Sequence, residues 1–102
     1  MWVFNITTKV DISIADQWLL WQKETNVTEI MKTGLFEDYK LFKLLDQDAD
    51  EDNNTFILQL IIVDLKNYDT YINHYADLIS QKAFEKWGAQ FISFKTIMQS
   101  VQ

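Results

Sequence analysis

The chain has 102 residues, a net charge of −6, no Cys, no Pro, two Gly, one His and no Arg, so all nine basic residues are Lys. That inventory excludes disulfide scaffolds, thiolate zinc sites and Cys nucleophiles. It also excludes glycine-rich phosphate loops, multi-histidine metal sites within one chain and bidentate Arg clamps. Apolar residues make up 48% of the chain and aromatics 15%, and the length suits one domain over residues 1–102 with a single core.

Residues 2–10 alternate, with Trp2, Phe4, Ile6 and Val10 on one side and Val3, Asn5, Thr7 and Lys9 on the other, which predicts a strand with one apolar and one mixed face. Ser13-Ile14-Ala15-Asp16 has the form of a capping box, so a helix is expected to begin there. Ile14, Trp18 and Trp21 fall at helical spacing, widened by Leu19 and Leu20. The pattern weakens at Thr25-Asn26 and restarts at Val27, Ile30 and Met31, with Asn26 as a possible second cap. This predicts one helix with a break, or two short helices, ending at Gly34.

Leu35 to Leu45 reads as a second strand, 46–54 as a hairpin loop and Thr55 to Val63 as a third strand. Asp64 is the expected cap of a long helix with the stripe Leu65, Tyr68, Ile72, Tyr75, Ile79 and Ala83, ending at Trp87 and Gly88. Phe91 to Met98 alternates as a fourth strand.

Charge and hydropathy bound the partners. Five of the fifteen acids lie between Asp46 and Asp52, so the rest of the chain is nearly neutral and no basic face offers itself to nucleic acid. The longest apolar stretch, Phe56 to Val63, is far short of a membrane span. The start, Met-Trp-Val-Phe-Asn, lacks a basic export segment, so a soluble cytoplasmic protein is expected and the N-x-T sequons at Asn5, Asn26 and Asn53 read as chance.

The order β-α-β-β-α-β predicts an α+β, ferredoxin-like sandwich: a four-stranded antiparallel sheet with two helices on one face. The third strand is apolar on both sides, Phe56, Leu58, Leu60 and Ile62 against Ile57, Ile61 and Val63. A strand of that kind is buried twice. Helices cover one side, and a second copy packed sheet against sheet about a two-fold axis is the expected cover for the other.

Several motifs then carry a resemblance over nearly the whole chain: Phe4-Asn5, Trp18-x-x-Trp21, Glu29-Ile30-Met31-Lys32-Thr33-Gly34-Leu35-Phe36, His74-Tyr75-Ala76, and Trp87-Gly88 followed by Phe94-Lys95-Thr96. In these the chain resembles the dimeric α+β barrel superfamily of ferredoxin-like proteins, and within it a bacterial family described only as a domain of unknown function. The resemblance implies a homodimer and no assigned reaction. The chain departs from the family pattern at Asn26-Val27-Thr28, where His-Ile-Pro is frequent, and at Lys86 and Lys95, where Arg is common.

Five residues are candidates for a site. Asn5, Thr7, Gln59 and Ser93, with Lys95 beside them, are expected on the mixed sheet face. They read either as the polar lining of a cleft between the sheet and its dimer mate or as ordinary interface polar groups. His74, the single imidazole, lies mid-helix, one turn from Tyr71 and Leu78. It reads as a general base or axial haem ligand, or as a half-exposed helix residue bonded to a neighbour. Monooxygenases and haem-degrading enzymes of the resembled superfamily use an Asn on the first strand, a Trp and a His. Asn5 and His74 match two of these, but no Trp stands near Ile62, Val63 and Asp64 at the end of the third strand. The aromatic stripes read chiefly as packing. The loop from Asp46 to Asp52 fails the calcium-loop pattern in the registers that start at Asp46 and at Asp48, because Glu51 or Asn53 takes the glycine position.

The expected function is that of a homodimeric ferredoxin-like domain binding a small apolar or aromatic molecule between sheet and mate, without cofactor, metal, nucleic acid or membrane partner. The alternative is a cofactor-poor or haem-degrading monooxygenase using Asn5 and His74, with haem as the cofactor only in that case. Neighbouring functions on this topology are set aside by missing parts: no Arg for an acylphosphatase, no CxxC for a metal chaperone, no basic aromatic strand for RNA recognition.

Overall fold

Side-chain alternation builds four strands, β1 (Trp2–Asp11), β2 (Asp38–Lys43), β3 (Asn53–Ile62) and β4 (Phe91–Gln99). A computed structural model gives their arrangement and describes residues 1–45 and 52–102. Most of the acidic segment 46–54, with its hairpin-tip and calcium-loop readings, lies outside the described residues. The strands form one sheet in the order β2-β3-β1-β4, each neighbouring pair antiparallel. This is the ferredoxin-like order that the β-α-β-β-α-β sequence predicts.

The first crossover runs through a 3-10 turn (Ile12–Ile14), α1 (Ala15–Trp21), a π turn (Gln22–Asn26) and α2 (Val27–Lys32). The expected cap at Ser13 is replaced by Asp11, whose Oδ1 accepts from the Ser13 backbone N–H at 2.9 Å and from the Ser13 hydroxyl at 2.8 Å. These two donors hold the Asp11 carboxyl below its ordinary value.

The break near Thr25-Asn26 is a locally underwound π turn within a continuous helical run rather than a gap. Buried positions step 15, 18, 22, then jump by five to 27 and on to 30. An α-helix would turn that fifth residue away from the sheet. The π turn absorbs it, with the Val27 N–H bonded back to the Gln22 carbonyl. Asn26 therefore caps nothing and donates instead to Gln22 Oε1 at 2.9 Å. The run ends at Gly34, whose φ of +72° favours glycine.

Two further expectations are corrected. β2 begins at Asp38 rather than Leu35, because Phe36 turns inward and packs edge-on against Tyr71 with ring centroids 5.0 Å apart. The long second helix divides at Tyr75 into α3 (Leu65–His74) and α4 (Ala76–Trp87). Tyr71 and Ala76 are then the residues buried on either side of the division, while Ile72 and Tyr75 of the expected stripe are exposed. Asp64 caps α3 as expected, its Oδ1 accepting from the Lys66 N–H at 3.0 Å.

All helices lie on one face of the sheet. The side chains that meet them come from Phe4, Ile6, Thr8 and Val10 of β1 and from Phe56, Leu58, Leu60 and Ile62 of β3, with Phe4 opposite Leu60, Ile6 opposite Leu58 and Thr8 opposite Phe56. Phe4, Leu60 and Ile62 are sealed at the centre of one core cluster, and Trp18 stacks on Phe56 in a second, with centroids 5.1 Å apart. Burial of side chains of this size contributes roughly 1.5–3 kcal/mol each.

Candidate functional site

Between the helix layer and the sheet lies a cavity of about 300 Å³. Its walls are the aromatic and aliphatic side chains of Trp18, Phe56, Leu58, Tyr71, Phe91 and Phe84. Phe84 is 62% exposed and Lys95 is also exposed, so the cavity opens between α4 and β4.

Polar groups enter it from the sheet, the π turn and α4. From the sheet come Thr8 and Ser93, cross-strand partners whose hydroxyls share a hydrogen bond of 2.8 Å. From the π turn come Gln22, buried at 6% exposure, and Asn26, bonded to it. At the mouth, Lys95 Nζ of β4 donates to Ser80 Oγ of α4 at 3.1 Å. Among the described residues no carboxylate lines the cavity, and Lys95 is the one formal charge on its lining. Burial pushes the Tyr71 phenol up to about 12, so its hydroxyl remains a neutral donor at physiological pH. The Trp18 indole N–H is buried and has no acceptor among the described residues.

The opposite sheet face carries a different set. Asn5 Nδ2 donates to Thr7 Oγ1 at 3.1 Å, and Gln59 stands directly across from Asn5 on β3. Three of the expected candidates are thus together on the mixed face. Around them Phe42, Ile92, Phe94 and Met98 are 42–55% exposed.

Ser93 and Lys95 are not in that group. The register pairs Ser93 with Thr8 and Lys95 with Ile6, placing both on the helix-covered side. β4 is apolar on both faces, Phe91 and Ile97 against Ile92, Phe94 and Met98, so alternation along it does not reveal which face is covered. His74 is exposed at the last position of α3, on the helix side of the sheet and outside the cavity lining. The sheet separates it from Asn5.

Thr8, Gln22, Asn26 and Ser80 are the cavity residues that sequence reasoning passed over. A signal existed for Thr8, a polar residue at the parity of Phe4, Ile6 and Val10, and for Gln22, one turn after Trp18. Among the described residues, no group of three or more His, Asp or Glu side chains is arranged to hold a metal ion, and no helix is long and apolar enough to cross a membrane.

Residues 1–101 match a family described as a domain of unknown function, DUF4286. The chain belongs to that family. A comparison with curated proteins finds no match. Among solved structures, the chain is similar to an EthD family protein from Bacillus halodurans, with a TM-score of 0.73, 12% identity, and coverage of 99% of this chain and 100% of that one. It is similar to a dimeric ferredoxin-like protein from an uncultured marine organism, with a TM-score of 0.68, 13% identity and coverage of 99% and 96%. An antibiotic biosynthesis monooxygenase superposes with a TM-score of 0.67, 17% identity and full coverage of both chains. At these identities the likeness is one of fold, and it agrees with the ferredoxin-like topology described above.

Proposed function

We propose that this DUF4286 protein is a homodimeric binding domain that holds a small, mainly apolar or aromatic molecule in the cavity between its helices and its sheet. The observation that carries the reading is the cavity itself. It has aromatic walls, a volume of about 300 Å³, and a few convergent polar groups at otherwise apolar positions. That combination is the usual character of a small-molecule site. The π turn that brings Gln22 and Asn26 to the cavity is a feature that often accompanies function.

This locates the ligand on the other side of the sheet from the cleft expected between sheet and mate. The open face, with its exposed Ile92 and Phe94, suits burial against a second copy instead. A dimeric ferredoxin-like neighbour supports the same assembly.

The monooxygenase alternative draws support from a neighbour of that description. It asks Asn5 and His74 to act on one molecule, and the sheet lies between them within a protomer. The haem version further needs an axial ligand facing a cavity, and His74 stands outside the one described. The residues present do not fit that group, so the binding reading is preferred.

The test is a titration with 2-naphthol followed by tryptophan fluorescence, on the wild type and on Ala83→Phe, which places a phenyl ring in the cavity. Saturable binding that weakens at least about tenfold in Ala83→Phe is expected. Undiminished binding in the variant, or none in the wild type, contradicts the proposal.

A further inference from the structure

We propose that the molecule bound in the helix–sheet cavity is an apolar carboxylic acid, with its carboxylate held at the cavity mouth by Lys95. The inference rests on the reading of the cavity as a ligand site and specifies the chemistry of that ligand.

The first ground is position. Lys95 stands opposite Ile6 on the sheet face that the helices cover, where β1 and β3 present almost entirely apolar side chains. Lys95 is exposed at the edge of that face, so its ammonium stands where a ligand enters the cavity. Among the described residues its hydrogen bond is to the neutral Ser80 hydroxyl, and it has no carboxylate partner. Lys82, on the same helix as Ser80, shows the contrast: its Nζ meets Glu29 Oε2 at 3.0 Å. Among the described residues no acid lines the cavity.

The second ground is what surrounds the cation. With a net charge of −6 the field of the whole molecule opposes an anion, so an anion is favoured in this cavity by local groups alone. Those groups are donors. Lys95 supplies an ammonium, and Tyr71 supplies a phenol that stays protonated. Asn26, Gln22 and the Thr8–Ser93 pair supply further donors around the interior. Trp18, Phe56 and Phe91 leave room for an aromatic or aliphatic body but offer no second charge. One cation at the mouth and an apolar interior match a ligand with a single terminal anion.

The test compares 2-naphthoate with the neutral 2-naphthamide by calorimetric titration of the full chain. Wild type is expected to prefer the naphthoate by about tenfold or more, the scale of one charge-assisted hydrogen bond. Lys95→Met removes the preference and Lys95→Arg retains it. Equal affinities in the wild type, or a preference that survives Lys95→Met, overturn the inference while leaving the cavity reading intact. If the wild type binds neither probe, the cavity reading fails and the inference falls with it.

Discussion

Thr8 of β1 and Ser93 of β4 face each other across the sheet and share a hydroxyl–hydroxyl hydrogen bond of 2.8 Å beneath the helices. Two polar residues at helix-facing positions would ordinarily weaken a core, and pairing removes that penalty. Ser93→Ala therefore strands the Thr8 hydroxyl, which is 4% exposed, and is expected to cost about 1–2 kcal/mol in denaturant unfolding. Thr8→Val combined with Ser93→Ala removes both partners and is expected to cost less than the two single changes added together. Additive losses would show that the pair is not coupled.

Tyr71 gives the molecule an alkaline limit. Its phenol is raised from 10.0 to about 12 by burial, so the native state keeps the proton more tightly than the unfolded chain. The resulting stability is fully present below pH 10 and is lost as pH rises from 10 through 12. Its size is on the order of 2 kcal/mol. Tyr71→Phe lacks the ionising group, so its unfolding free energy should fall less over that interval than the wild type's. Identical slopes for the two proteins would contradict the assignment.

The open sheet face makes a separate prediction. Phe94 is 55% exposed there, beside Thr7 on β1. In a sheet-to-sheet dimer it is buried, and Phe94→Glu would bring like charges into a two-fold interface. Light scattering at micromolar concentration should give twice the 12.1 kDa protomer mass for wild type and the protomer mass for Phe94→Glu. A wild-type mass of one protomer rules out the dimer.

The fold was largely legible because its signals are local and repeated. The alternation of β1, the doubly apolar β3, the Asp64 cap and the two glycine helix ends each point to the same topology, and each is found. What stayed hidden depends on relations between elements. The jump from Gln22 to Val27 in the buried series identifies a π turn only once the helix is seen lying on the sheet. The division at Tyr75 goes with packing on either side of it, where Tyr71 is buried in place of the expected Ile72.

The site was legible in halves. Asn5, Thr7 and Gln59 share a face because period-2 alternation and antiparallel pairing suffice to place them. Ser93 and Lys95 sit on a strand whose two faces are equally apolar, so only the register with β1 assigns them to the cavity side. His74 drew notice for its chemistry, whereas its place at the outer end of α3 is set by where that helix stops.

The central claim is that the ligand lies between helices and sheet rather than on the open sheet face. It is tested most directly by amide chemical-shift mapping of the labelled protein with saturating 2-naphthol. The largest changes are expected on Thr8, Gln22, Asn26 and Ser93, polar groups of the cavity interior. Changes centred on Asn5, Thr7 and Gln59, or no saturable changes at all, would contradict it.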